Sequence, residues 1–69
     1  GEAFGGWADE ARDRLRAVHL DALLALGDAE LAAGGAEAAL VAYRRALGED
    51  PLWEAAHRGV LRALVALGR

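Results

Sequence analysis

Few side chains in this sequence could do chemistry. His19 and His57 are the two imidazoles, and Tyr43 is the one phenol. Ser, Thr and Cys are absent, so Tyr43 is the sole hydroxyl, and disulfides and thiolate metal sites are excluded. A helical zinc site needs two His four apart or a Glu-flanked His motif. Neither arrangement exists here, although Asp21 or Glu54 lies near a histidine in sequence. The eleven carboxylates are spread over positions that read as exposed, so no spacing supports a paired acid–base site. No glycine forms a phosphate loop between a strand and a helix. The residues point to no enzyme, no metal and no cofactor. Both histidines read as structural, and Tyr43, Trp7 and Trp53 read as core aromatics rather than a stacking platform for bases.

Composition narrows the class further. At 69 residues the chain is at most one small domain, near the size where a single core is marginal. A hydrophobic content of 55% beside 28% charge argues for a folded chain. A net charge of −3 offers no global attraction to DNA or an anionic membrane. Arg12, Arg14 and Arg16 are interleaved with Asp9, Glu10 and Asp13, which is the pattern of a solvated helix face. No run is long enough to span a membrane and no signal peptide opens the chain, so the expected location is cytoplasmic. Lys, Ile, Asn, Gln and Met are missing as well, a bias that GC-rich coding explains better than heat adaptation, which favours Lys.

The elements that position these residues read as helices throughout. Gly1 to Gly6 reads as a loop or frayed end. The first helix is expected over 8–33, with acidic residues in its opening turns to complement the helix dipole. It carries two apolar stripes. Leu20, Leu23, Leu24, Gly27 and Leu31 line one side, and Trp7, Ala11, Leu15, Val18 and Ala22 line nearly the opposite one. Two stripes mean contact on two sides, with Asp21 and Asp28 left facing water. Gly34-Gly35 should end the helix through a left-handed cap. The second helix is expected over 36–47, stopped by Gly48. Asp50-Pro51 should start the third, over 51–67, as N-cap and first helical residue. Glu54 and Arg58 have ion-pair spacing within it.

The stretch from Leu20 to Pro51 matches a helix–turn–helix repeat. The tetratricopeptide pattern spans about 34 residues, with Leu-Gly in its first helix, small and aromatic residues in its second, and a closing Pro. Leu26-Gly27, Gly34, Ala39, Tyr43, Ala46 and Pro51 fall into register together, with Leu23 at the large apolar position. Gly27 and Ala39 should let two helix axes approach while Tyr43 fills the space beside them. The fold expected is all-α: a tetratricopeptide-like helical hairpin plus a following helix.

A more specific resemblance covers nearly the whole chain. The run Trp7 to Arg16 with Leu20, Leu23-Leu24 and Leu26 is similar to the opening of the bacterial transcriptional activator domain. The segments Ala39-Leu40 to Tyr43-Arg44-Arg45-Ala46-Leu47, Asp50-Pro51-Leu52, Glu54, Ala56-His57-Arg58 and Ala66 to Arg69 resemble it too. That module sits beside a winged-helix DNA-binding domain in antibiotic-regulatory activators. The resemblance implies activation through protein contacts and self-association, with DNA read by the neighbour. It implies a fragment of a larger regulator and carries over no catalytic or ligand residues.

The partners expected are therefore proteins: a second copy, a neighbouring DNA-binding domain or the transcription machinery, with no direct nucleic-acid binding and no membrane. The alternative is a tetratricopeptide-type adaptor that captures a peptide or partner helix, although the chain has no Asn or Lys for a carboxylate clamp. Interface residues are expected on two surfaces. One is the first-helix stripe of Trp7, Leu15 and Val18; the other is an exposed third-helix arc of Leu61, Leu64 and Leu67.

Overall fold

A computed structural model describes the backbone of residues 2–68 and the side chains of residues 9–68. It contains three helices and no strand among the described residues: α1 Glu2–Ala32, α2 Ala36–Glu49 and α3 Glu54–Ala66. The all-α expectation holds. Residues 2–6 extend α1 rather than forming a loop. The glycines there lower helix propensity by about 1 kcal/mol each without forbidding the conformation.

The α1–α2 turn is built as its glycines demand. Gly34 adopts φ +87°, the left-handed region. The Gly34 N–H donates to the Leu31 carbonyl at 3.1 Å and the Gly35 N–H to the Glu30 carbonyl at 2.7 Å. That pair of bonds is a Schellman cap, which satisfies two carbonyls at the end of α1.

The next turn departs from expectation. Gly48 has no positive φ, and α2 continues through it to Glu49. Asp50 is the C-cap of α2, with its N–H bonded to the Ala46 carbonyl, and not an N-cap of α3. Pro51 accounts for the stop, since the residue before a proline is pushed out of helical geometry, and Asp50 is extended at φ −136°, ψ 83°. Pro51 and Leu52 form a turn closed by the Trp53 N–H on the Asp50 carbonyl at 3.2 Å. Helix α3 then starts at Glu54, three residues later than expected, with Trp53 as a cap that makes no side-chain bond.

The helices pack in sequence, α1 on α2 and α2 on α3, while α1 and α3 touch least. Arg16 donates to the Glu49 carbonyl at one end of the hairpin and Gly35 meets Glu30 at the other, so α1 and α2 are antiparallel. Leu20 and Trp53 share one cluster and Leu31 and Leu67 the other, so α3 runs alongside α1 in the same direction. One core cluster gathers Ala39, Leu40, Tyr43 and Ala63, with Leu24, Leu31, Val60, Leu64 and Leu67 packed around it. A second joins Leu23, Ala46 and Ala56, with Leu20, Leu24, Leu47 and Trp53 around it. Most of the fully buried residues are alanines. Small side chains bring the axes close, and among the described residues the one large fully buried side chain is Tyr43.

Candidate protein-interaction surfaces

Tyr43 fixes how the three helices sit, and so which faces remain open. Its ring lies between two glycines on different helices. A Cβ at Gly27 of α1, or at Gly59 of α3, would stand 2.5 Å from Tyr43 Cε1. The ring thus takes the volume that side chains at 27 and 59 would need. Its hydroxyl donates to the Asp28 carboxylate, and Arg62 Nη2 donates to the same oxygen at 3.3 Å. Burial, then the hydrogen bond and negative charge of Asp28, push the phenol up to about 12, partly opposed by Arg62. A phenol held neutral in this way is a structural donor and no nucleophile at neutral pH.

The histidines lie on the surface. His19 Nε2 meets Glu49 Oε2 at 2.7 Å, joining α1 to the end of α2. His57 Nε2 meets the Pro51 carbonyl at 2.6 Å and ties the α2–α3 turn to α3. Each has a local structural partner. No group of three or more metal-binding side chains comes together among the described residues. Asp28, expected to face only water, is half exposed and bridges α2 and α3. Glu54 and Arg58 do not come within ion-pair distance; the pairs Asp28–Arg62 and His19–Glu49 cross between helices instead.

The repeat residues divide. Leu23, Gly27, Ala39, Tyr43 and Ala46 are buried, whereas Leu26 is half exposed and Pro51 sits in an exposed turn. Leu26 points away because α1 has turned it past both partner helices. Gly59, Ala56 and Ala63 of α3 are buried as well, as are Ala36, Leu40 and Ala42 of α2. Sequence reasoning missed Gly59, though a glycine inside an unbroken helical run is itself a sign of close packing.

The expected interface residues also divide. Leu15 and Val18 are 70% and 62% exposed on α1, on the face turned away from α2. The Trp7 side chain lies outside the described residues. On α3, Leu61 is 62% exposed. Leu64 and Leu67 do not share that exposed arc; they pack against the Tyr43 cluster, because α3 turns the far side of the helix to α2. Leu61 instead opens onto a groove between α1 and α3, lined by Leu24, Asp28, Ala55, Arg58, Leu61 and Arg62. No helix among the described residues is long and apolar enough to cross a membrane.

The open surfaces are thus an apolar face on α1 and a shallow groove edged by Arg58, Arg62 and Asp28. No curated protein and no solved structure matches the chain. A family model described as the bacterial transcriptional activator domain matches residues 1–69. The helical architecture agrees with that match, and the chain belongs to the bacterial transcriptional activator domain family.

Proposed function

We propose that this domain is the protein–protein interaction part of a bacterial transcriptional activator, acting in the cytoplasm. It contributes self-association and activation, while a neighbouring domain of the same regulator reads DNA. The observation that carries this reading is the exposed pair Leu15 and Val18 on an α1 face that no other helix covers. A contiguous exposed apolar face is a candidate contact site. The charge pattern speaks against DNA as the partner. Arg12, Arg14 and Arg16 stand beside Asp9, Glu10 and Asp13, and a net charge of −3 gives no global attraction to phosphates. A labelled duplex titrated with the 69-residue chain at physiological salt should show no sequence-specific binding. Specific binding to a duplex would overturn the reading.

The groove between α1 and α3 favours a second reading, a tetratricopeptide-type adaptor that holds a peptide or partner helix. Leu24, Ala55 and Leu61 supply its apolar lining and Arg58 a cation. Substituting Leu61→Glu separates the two: it should abolish peptide capture by the groove and leave contacts through Leu15 and Val18 intact.

A further inference from the structure

Along α1, Ala11, Leu15, Val18, Ala22, Ala25 and Ala29 recur at alternating spacings of four and three. That is the seam of a coiled coil. On a helical wheel it lies opposite Leu20, Leu23, Leu24, Gly27 and Leu31, the side turned to α2 and α3. No charged residue interrupts it. Its larger members Leu15 and Val18 are mostly exposed, and Ala22, Ala25 and Ala29 are exposed as well. Among the described residues, Ala11 is half-buried and the rest of the seam, from Leu15 to Ala29, stays open to solvent.

The charges beside the seam are distributed unevenly. One flank carries Arg14, Asp21 and Asp28; the other carries Arg12, His19 and Leu26. His19 is held by Glu49, and Asp28 by Tyr43 and Arg62, which leaves Arg12, Arg14 and Asp21 without an ion pair among the described residues, and of these Arg14 and Asp21 share a flank. These two residues have opposite charge and lie two turns apart on the same flank.

We infer that α1 pairs with α1 of a second copy in antiparallel fashion across this seam, with the two-fold axis passing between Leu15 and Val18. The inference rests on the self-association proposed above and adds the face and the register. In this arrangement Leu15 of each copy packs beside Val18 of the other, and Ala11 beside Ala22. An antiparallel pairing brings each flank against itself, so Arg14 faces Asp21 of the second copy, and symmetry forms the pair twice. A parallel pairing would set one flank against the other. Arg14 would then lie by His19 and Asp21 by Leu26, with no opposite charges matched. The alanines serve the same geometry, since small residues let two helix axes approach to the short end of the usual 8–10 Å range.

Charge reversal tests the register. Sedimentation equilibrium at low salt is run on the parent chain, Arg14→Asp, Asp21→Arg and the double variant, with circular dichroism confirming that each is helical. Both sites are exposed, so the fold should be unaffected. Each single variant replaces two attractive pairs by two repulsive ones and should weaken the dimer about tenfold or more. The double variant restores opposite charges and should recover the parent affinity to within about threefold. A dimer that ignores the single changes, or a double variant no stronger than the singles, overturns this register and leaves self-association standing. A parent chain that stays monomeric at high micromolar concentration overturns both.

Discussion

The ring of Tyr43 occupies the space that a side chain at Gly59 would need: a Cβ there would stand 2.5 Å from Cε1 and 2.6 Å from Cζ. Gly27 presses on the same ring from α1, so one aromatic residue of α2 sets the spacing of both neighbouring helices.

Gly27→Ala and Gly59→Ala should therefore both destabilise the domain. Alanine improves helix propensity by about 1 kcal/mol. Against that, the ring is fully buried and its hydroxyl is held by Asp28, so it cannot swing aside, and overpacking costs about 1–3 kcal/mol. Gly27→Leu should cost more than Gly27→Ala. Gly48 is the control: a Cβ there meets nothing within 4 Å, and Gly48→Ala should hold or raise the melting temperature. A Gly59→Ala variant melting at or above the parent would show that the ring has room to move.

Tyr43 also makes stability depend on alkaline pH. Its folded-state pKa is raised to about 12 from an unfolded value of 10.0. Between those values the unfolded chain releases a proton that the folded chain keeps, so stability is complete below about pH 10 and falls as pH rises towards 12. Tyr43 is the only tyrosine, so the phenolate absorbance reports this group alone. Denaturant unfolding across that window should show the fall in the parent and a much smaller one in Tyr43→Phe. Below the window, Tyr43→Phe should cost about 1 kcal/mol for the lost hydrogen bond. A phenol that titrates near its ordinary value in the folded protein would contradict the buried contact with Asp28.

The two leucines of α3 should part company under the same substitution. Leu64→Glu places a carboxylate against the Tyr43 cluster and should lower stability by about 2 kcal/mol or more. Leu61→Glu stays in water and should change stability by no more than about 0.5 kcal/mol. Equal melting temperatures for the two variants would mean that α3 is rotated from the orientation described.

Much of this arrangement was legible in the residues, for reasons that also show where legibility ended. Gly34 could be read because a helix end followed by Gly-Gly has one cheap solution, the left-handed cap. Gly27 and Tyr43 could be read because the repeat pattern fixes their separation. The α2–α3 turn was misplaced because Asp50-Pro51 fits two structures equally well, a helix start and a helix stop followed by a turn. Only tertiary packing chooses between them, by seating Trp53 near Leu20 and Ala56. Gly59, inside a helical run, carried the mark of a close approach, but the run does not say that the ring it meets is that of Tyr43 on α2. The same holds for the rotation of α3, which decides that Leu61 is exposed and Leu64 is not. The α1 stripe was visible in the sequence; what covers it is a question of partners, which sequence periodicity does not name.

The open face of α1 is the proposed site at which this domain associates with itself. Sedimentation equilibrium of the 69-residue chain from low to high micromolar concentration tests it most directly, with Leu15→Glu measured beside the parent. The parent should form a concentration-dependent dimer, and Leu15→Glu should stay a monomer of unchanged helicity. A parent chain that remains monomeric throughout, or a Leu15→Glu variant that dimerises as well as the parent, would contradict it.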